Sequence, residues 1–371
     1  MTIDTVLLKV ASRCNLDCKY CYFYHSPDQG WLRQPPRMSW ETIDAVIARL
    51  TELCLHQQRP VAIVLHGGEP LLLGTAKLSR LLEGLRSALG QESTIALQTN
   101  GTLVNQELVE LFAETRTVVG VSIDGPSDVN DKFRVDRRGR SSFASTVAAI
   151  ERLRDHPMRA EIFRGVLAVI DPRSAPETVY EFFKSLKVPS IDFLLRDGNH
   201  DRLPDGKRSF ESREYGRWMA RMWELYVADP EPTPIEFLDN MVRGMFGVEG
   251  TKEGSGVASY GILVVETDGA ITKNDTLKNS FDGADLFGRS WSVHRNSFAE
   301  VTASAEFLHY MALQRTSHRE CLECKLLPAC GGGMMLHRWS ADKGYDNPSV
   351  YCKDQKYLLS RIADTVLSVC T

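Results

Sequence analysis

From Val6 to Leu195 the sequence alternates short β-branched runs with amphipathic helical stretches, and this repetition constrains the fold more than any other feature. Strands are expected at 6–11, 61–65, 94–98, 118–123, 166–170 and 191–195. Between the first two, Ile43, Val46, Ile47 and Leu50 make an i, i+3, i+4, i+7 stripe that starts after Ser39, a helix-capping residue type. Repeated strand–helix units imply an α/β fold with a parallel sheet and right-handed crossovers. Periodicity leaves open whether that sheet closes into a barrel. After Arg196 the pattern changes to a polar loop at 197–206, helical stretches near 215–227 and 235–246, and a Gly/Ser-rich break at 250–256. A hairpin around Asp268-Gly269 and a last helix from about Lys353 complete the chain. The expected division is 1–200, 201–257 and 258–371, in keeping with ~150 residues per domain.

The cysteines add chemistry to this frame. There are nine, at 14, 18, 21, 54, 321, 324, 330, 352 and 370. An odd number, in a sequence opening Met1-Thr2-Ile3-Asp4 without a basic signal region, argues against a disulfide framework and for thiolate ligands. Their clustering suggests two inorganic sites, one toward each end. Cys54 and Cys370 continue apolar stripes and are expected to be packing residues. With 44 Lys+Arg against 48 Asp+Glu the net charge is −4, which offers no basic field for nucleic acid or an anionic membrane. No apolar run is long enough to span a bilayer, so a cytoplasmic location is expected.

Cys14, Cys18 and Cys21 form C-x3-C-x2-C directly after the first strand. Three such thiolates can hold one iron–sulfur cube and leave its fourth iron open to a chelating small molecule. Zinc with His25 as fourth ligand is the alternative. Position favours the cube, because ligand sites in βα repeats gather at strand C-termini. With Tyr20 as its aromatic, the motif resembles that of the radical S-adenosylmethionine (SAM) superfamily, and His66-Gly67-Gly68-Glu69-Pro70 resembles that family's Gly-Gly-Glu-Pro element. The resemblance implies a partial (β/α)6 TIM-like barrel over 1–200, with SAM on the open iron of a [4Fe-4S] cluster. It also implies SAM contacts from Gly67, Gly68, Glu69, Gln98, Asn100, Ser122, Asp124 and Arg134, with Tyr20 and Leu195 bordering the adenine. Taken singly, Ser122 and Asp124 are equally readable as turn residues and Arg134 as a solvated charge. Glu69, between Gly-Gly and Pro, has little expected packing purpose.

Cys321, Cys324, Cys330 and Cys352 supply four thiolates, enough to close a second [4Fe-4S] cluster; four-cysteine zinc is the compositional alternative. The spacing resembles the outer auxiliary cluster of radical SAM enzymes with a SPASM extension, which would occupy 258–371. The inner-cluster positions of that pattern are lost: Asn274 and Met334 stand where cysteines are expected, and the upstream window offers serines such as Ser255 and Ser259. Two clusters, not three, are therefore expected.

Longer strings, among them Glu266-Thr267-Asp268-Gly269, Asp275-Thr276-Leu277-Lys278, Phe281-Asp282-Gly283-Ala284 and His337-Arg338, resemble the maturases that build three-residue cyclophanes (triceptides) in ribosomal peptides. That resemblance implies a precursor peptide as substrate and a flavodoxin or ferredoxin as electron donor. It implies removal of a hydrogen from the β-carbon of a residue two positions after an aromatic one, followed by bonding of that carbon to the ring. The proton then lost from the ring needs a base: Asp275 is the candidate and Asp282 a weaker one. His200, in the polar loop, is readable as a peptide contact or as an exposed loop residue. Two other readings compete. A SPASM side-chain dehydrogenase, like the sulfatase maturases, would oxidise Cys or Ser, and a zinc-binding βα protein would not be an enzyme.

Overall fold

The computed structural model describes residues 2–248, 253, 254 and 256–370, with side chains as far as 368. Ser255 and the Cys370 side chain lie outside the described residues. The strands are β1 (Thr5–Ala11), β2 (Ala62–Gly67), β3 (Ile95–Thr99), β4 (Val118–Ser122), β5 (Phe163–Val169), β6 (Ile191–Leu194), β7 (Ile262–Val265), β8 (Ala270–Thr272) and β9 (Trp291–Ser292). The described chain divides into two compact units that alternate along the sequence. The first takes Met1–Ile123, Asp131–Val166 and Tyr260–Met311; the second takes Asp124–Asn130, Leu167–Ser259 and Ala312–Thr371.

In the first unit, β1 to β4 are parallel neighbours in chain order, each pairing with the next. Helices α1 (Trp40–Gln57), α2 (Thr75–Leu89) and α3 (Gln106–Thr115) provide the crossovers. Ser39 Oγ accepts from Thr42 N (3.1 Å) and starts α1, and Asn105 starts α3 in the same way. Val6, Leu8, Val10, Ile63, Leu65, Ile95 and Leu97 are buried, as strands covered by helices require. On its other side β1 pairs in parallel with β7, which turns back through Gly269 (φ 85°) into antiparallel β8.

One irregularity shapes the site. The β1–β2 register runs regularly to Lys9 opposite His66, then slips so that Ala11 faces Gly67. Bulges of this kind re-aim side chains and often border active sites.

In the second unit, α4 (Pro176–Leu186) connects β5 to β6, and α5 (Glu214–Ala228) packs on the long C-terminal helix α6 (Cys352–Cys370). The contact is close because Gly216 has no side chain: its N–H donates to Asp354 Oδ1 (2.7 Å), and Lys207 Nζ meets the other carboxylate oxygen at 2.6 Å. The stretch after Asn279, unpatterned in sequence, holds β9 and several short helices. None of the described helices is long and apolar enough to cross a membrane.

Candidate active site and thiol centres

The first unit gathers Cys14, Cys18 and Cys21 in the loop after β1. Cys21 N donates to Cys18 O (2.8 Å), which folds the loop into a tight turn, and Cys14 lies within electrostatic reach of both other sulfurs. Burial pushes the Cys14 thiol up to about 12, and Cys21 is raised for the same reason. Three thiols gathered in one half-buried loop suit a soft metal cluster that binds thiolates. His25, the fourth ligand that a zinc site would need, is half-exposed and meets Asp17 Oδ1 at 3.0 Å.

Around this loop the strand ends interlock. Gly68 N donates to Ala11 O (2.8 Å) and Glu69 N to Arg13 O (2.9 Å), and a Cβ on Gly67 would collide with the Ala11 carbonyl. Glu69 proves to have a structural purpose that its sequence setting did not suggest. Its carboxylate accepts from Leu71 N (3.0 Å), Thr99 Oγ1 (2.8 Å) and Asn100 N (2.8 Å), and so ties β2 to the end of β3. Asn100 Nδ2 in turn lies 3.7 Å from Cys14 Sγ and 2.9 Å from Asn15 Oδ1. Gln98 Nε2 donates to Ser122 Oγ (2.8 Å), joining β3 to β4. Arg134 is not a solvated charge: it is 7% exposed and its Nη1 donates to Tyr20 Oη (2.9 Å). Tyr20, Gly67, Gly68, Glu69, Gln98, Asn100, Ser122 and Arg134 thus all belong to the unit that holds the three thiols.

The second unit holds Asp124 and Leu195. Asp124 Oδ1 accepts from Val169 N (3.1 Å), a tie to β5, and Leu195 follows β6. His200 is half-buried rather than an exposed loop residue. Its ring stacks on Phe210 (4.8 Å) and its Nε2 lies 2.7 Å from Pro348 O.

Asp275 begins a short 3-10 turn, Asp275–Asn279, capped by Asn274, whose Oδ1 accepts from Thr276 N (3.1 Å). The position expected to carry a cysteine therefore carries a turn cap. The Asp275 carboxylate is buried. Its Oδ2 is ion-paired with the Lys9 ammonium and accepts from Tyr22 Oη (2.7 Å), next in sequence to Cys21. Lys9 Nζ also lies 3.4 Å from His66 Nδ1 and 4.6 Å from the Phe23 ring centre. Burial opposes the charge on Asp275, but Lys9, His66 and Tyr22 together hold the carboxyl well below the usual range. Burial pushes His66 down to about 4, so it is neutral near pH 7. Asp282 differs: it is exposed on a loop, accepting from Gln29 N (3.3 Å). Sequence reasoning missed Lys9, Tyr22 and His66 as members of this site. The available signal was a lysine within the apolar run Val6-Leu7-Leu8-Lys9-Val10, since lysine is rarely buried without a partner.

In the second unit, Cys321, Cys324, Cys330 and Cys352 line one cavity, with Gly332 and Pro348 in its wall. Three consecutive glycines, Gly331, Gly332 and Gly333, all have positive φ (64°, 84° and 74°). A Cβ at Gly331 would collide with the Gly256 carbonyl, and one at Gly332 would lie 2.8 Å from Thr316 Cβ. This backbone presents the Gly332 N–H to the Cys330 sulfur. Four thiols around one cavity, with an amide donor to a sulfur, fit a four-thiolate cluster. Met334 lies against Gly254, where a Cβ would be 2.5 Å from Met334 Cγ. Cys54 sits apart from both sets, 3.9 Å from Ser93 Oγ.

Residues 8–184 match the Radical SAM superfamily. The chain is 24% identical over 362 residues to the cysteine-type anaerobic sulfatase-maturating enzyme of Clostridium perfringens (strain 13 / Type A), covering 95% of this chain and 94% of that one. Among solved structures it is similar to native anSMEcpe with bound AdoMet and Cp18Cys peptide: TM-score 0.83 and 21% identity over 100% of this chain and 99% of that one. Streptococcus suis SuiB bound to precursor peptide SuiA matches with TM-score 0.66 and 13% identity, over 95% and 76% of the two chains. The superfamily match covers residues 8–184, which carry the cysteine loop and the strands around it, on an α/β fold with a parallel sheet.

Proposed function

We propose that the enzyme modifies a ribosomally made precursor peptide, joining an aromatic ring carbon to the β-carbon of a residue two positions later. The observation that carries this reading is the buried Asp275 carboxylate beside the Cys21 loop, directly after a turn-capping asparagine at an inner-cluster position. Cys14, Cys18 and Cys21 would hold a [4Fe-4S] cluster that binds SAM. Glu69, Asn100 and the Gly67-Gly68 backbone would shape its amino-acid end, and Ser122, Gln98, Arg134 and Tyr20 the remainder. Cys321, Cys324, Cys330 and Cys352 would hold one auxiliary cluster. The proposed functional division is a 1–200 core, a 201–257 connection and a 258–371 SPASM-like extension.

When bound, the first cluster with SAM supplies hydrogen-atom abstraction from the peptide, and the second supplies an acceptor for one electron. The protein's own task is the proton. Once the β-carbon has bonded to the ring, that ring carbon must release its hydrogen as a proton, and its C–H pair restores aromaticity. Asp275 is ionised, excluded from bulk water and adjacent to the cysteine loop, as a general base at this step requires. Among the described residues the Tyr22 and Lys9 contacts fall on Oδ2, so Oδ1 would be the oxygen offered to the proton. A flavodoxin or ferredoxin is the proposed electron donor.

A second reading is supported by the likeness to sulfatase-maturating enzymes along 95% of this chain. It is oxidation of a Cys or Ser side chain with no bond to a ring. Both reactions remove two hydrogens, so mass alone does not separate them. NMR of the product from a precursor encoded beside the gene separates them: a new bond between a ring carbon and a β-carbon supports cross-linking, and an oxidised side chain with an intact ring supports the second reading.

A further inference from the structure

Three lysines stand close to the Asp275 turn, and among the described residues Lys9 is the one paired with Asp275; Lys273 Nζ donates instead to Ala284 O (3.5 Å) and Leu286 O (2.5 Å). Lys278, on the same turn, has its ammonium held by Glu266 Oε1 (3.0 Å) and Asp285 Oδ2 (2.8 Å), with Asp28 Oδ1 at 4.0 Å. That leaves Lys9, fully buried in β1 and set opposite His66 by the register that precedes the bulge. Its ammonium reaches Asp275 Oδ2, Tyr22 Oη (3.2 Å) and His66 Nδ1 (3.4 Å). A buried lysine in the interior of a parallel strand contributes little to packing that methionine would not, and an ion pair in the interior is weak evidence for stability.

We propose that Lys9 is a positioning residue of the reaction: its ammonium keeps the Asp275 carboxylate ionised and fixes Oδ2, leaving Oδ1 to take the proton. The inference rests on Asp275 as the base. Asp275 is faced by Lys9 from β1, by His66 from β2 and by Tyr22 from the cysteine loop, while Glu266, beyond β7, faces Lys9 and Lys278. With Lys9 in place, neither His66, held neutral by burial and by the Lys9 charge, nor Tyr22 carries a positive charge beside Asp275. Without that charge, burial governs the carboxyl, and buried carboxyls titrate as high as about 8–9. Asp275 would then already hold a proton near neutrality and would accept none from the ring. Lys9 does not touch the transferred proton; it sets the state of the group that does.

The test compares full-length Lys9→Met, Lys9→Gln and Asp275→Asn, each reconstituted and supplied with SAM, reductant and the precursor peptide. At about pH 7, both Lys9 variants should form cross-linked product at least tenfold more slowly relative to 5′-deoxyadenosine released, with recovery as pH rises toward about 9. Asp275→Asn should be defective at every pH. As a readout independent of the clusters, infrared difference spectra of the unreconstituted protein should show a carboxylic acid stretch near neutral pH in the Lys9 variants. That stretch should be stronger than in wild type, and weaker again in the doubly substituted Lys9→Met/Asp275→Asn protein, where Glu266, which also faces Lys9, is unchanged. Wild-type cross-linking by Asp275→Asn would overturn the base itself and this inference with it. A defective Asp275→Asn beside Lys9 variants with a wild-type pH profile and an acid stretch no stronger than in wild type would overturn the role of Lys9 alone.

Discussion

The Lys9 ammonium and the Asp275 carboxylate, distant in sequence, form an ion pair with 0% and 4% side-chain exposure. Removing one partner leaves the other buried without its counter-charge, so that it must be neutralised at a cost, whereas removing both does not. Lys9→Met is therefore expected to lower unfolding free energy by roughly 3–5 kcal/mol, and Lys9→Met/Asp275→Asn by clearly less. Denaturant unfolding of the single and double variants checks this.

The same pair fixes an acid limit. The Asp275 carboxyl is held below its unfolded value, so its contribution is present above about pH 4 and is lost as pH falls through the lower folded value. Acid unfolding followed by circular dichroism should show a broader low-pH loss in wild type than in the Lys9→Met/Asp275→Asn protein, which lacks the linkage.

Iron and sulfide analysis bears on the two thiol sets. Anaerobic reconstitution should give about eight irons per chain and about four after Cys14→Ala/Cys18→Ala/Cys21→Ala; about twelve would require a third cluster. Cys54→Ala should leave the count unchanged.

Gly332→Ala would force a side chain at φ 84° and against Thr316. It is expected to destabilise by more than about 1 kcal/mol and to lower iron retention at the second thiol set, with the first set still able to load. Thermal unfolding and iron content read the two effects separately.

The βα core was legible because short β-branched runs, with one face buried under helices, are separated by amphipathic stripes. The six strands fall within a few residues of their expected places. The grouping of Cys14, Cys18 and Cys21 was equally legible, since their spacing keeps them in one loop, whereas Cys352 meets Cys321, Cys324 and Cys330 only through the fold. The Lys9–Asp275 contact was not, because it joins β1 to a turn far along the chain through β1–β7 pairing, and no local pattern encodes that register. Glu69 shows a different limit. Its residue type and neighbours suggested a ligand, while its three hydrogen bonds to Leu71, Thr99 and Asn100 exist only once β2 and β3 lie side by side. Arg134 was ambiguous for a similar reason, since burial against Tyr20 depends on the 17–19 segment bonding to 133–135.

Asp275→Asn separates radical generation from product formation. It should still cleave SAM to 5′-deoxyadenosine, with cross-linking at least ~10²-fold slower, read by chromatography of both products from one reaction.

The most direct test of ring coupling uses a precursor peptide whose aromatic residue carries deuterium at every ring position. Mass spectrometry of the modified residue then reports where the two hydrogens came from. Coupling predicts a product that has lost one ring deuterium and one β-hydrogen. A product that keeps every ring deuterium while losing two hydrogens elsewhere would contradict the account and leave side-chain oxidation in its place.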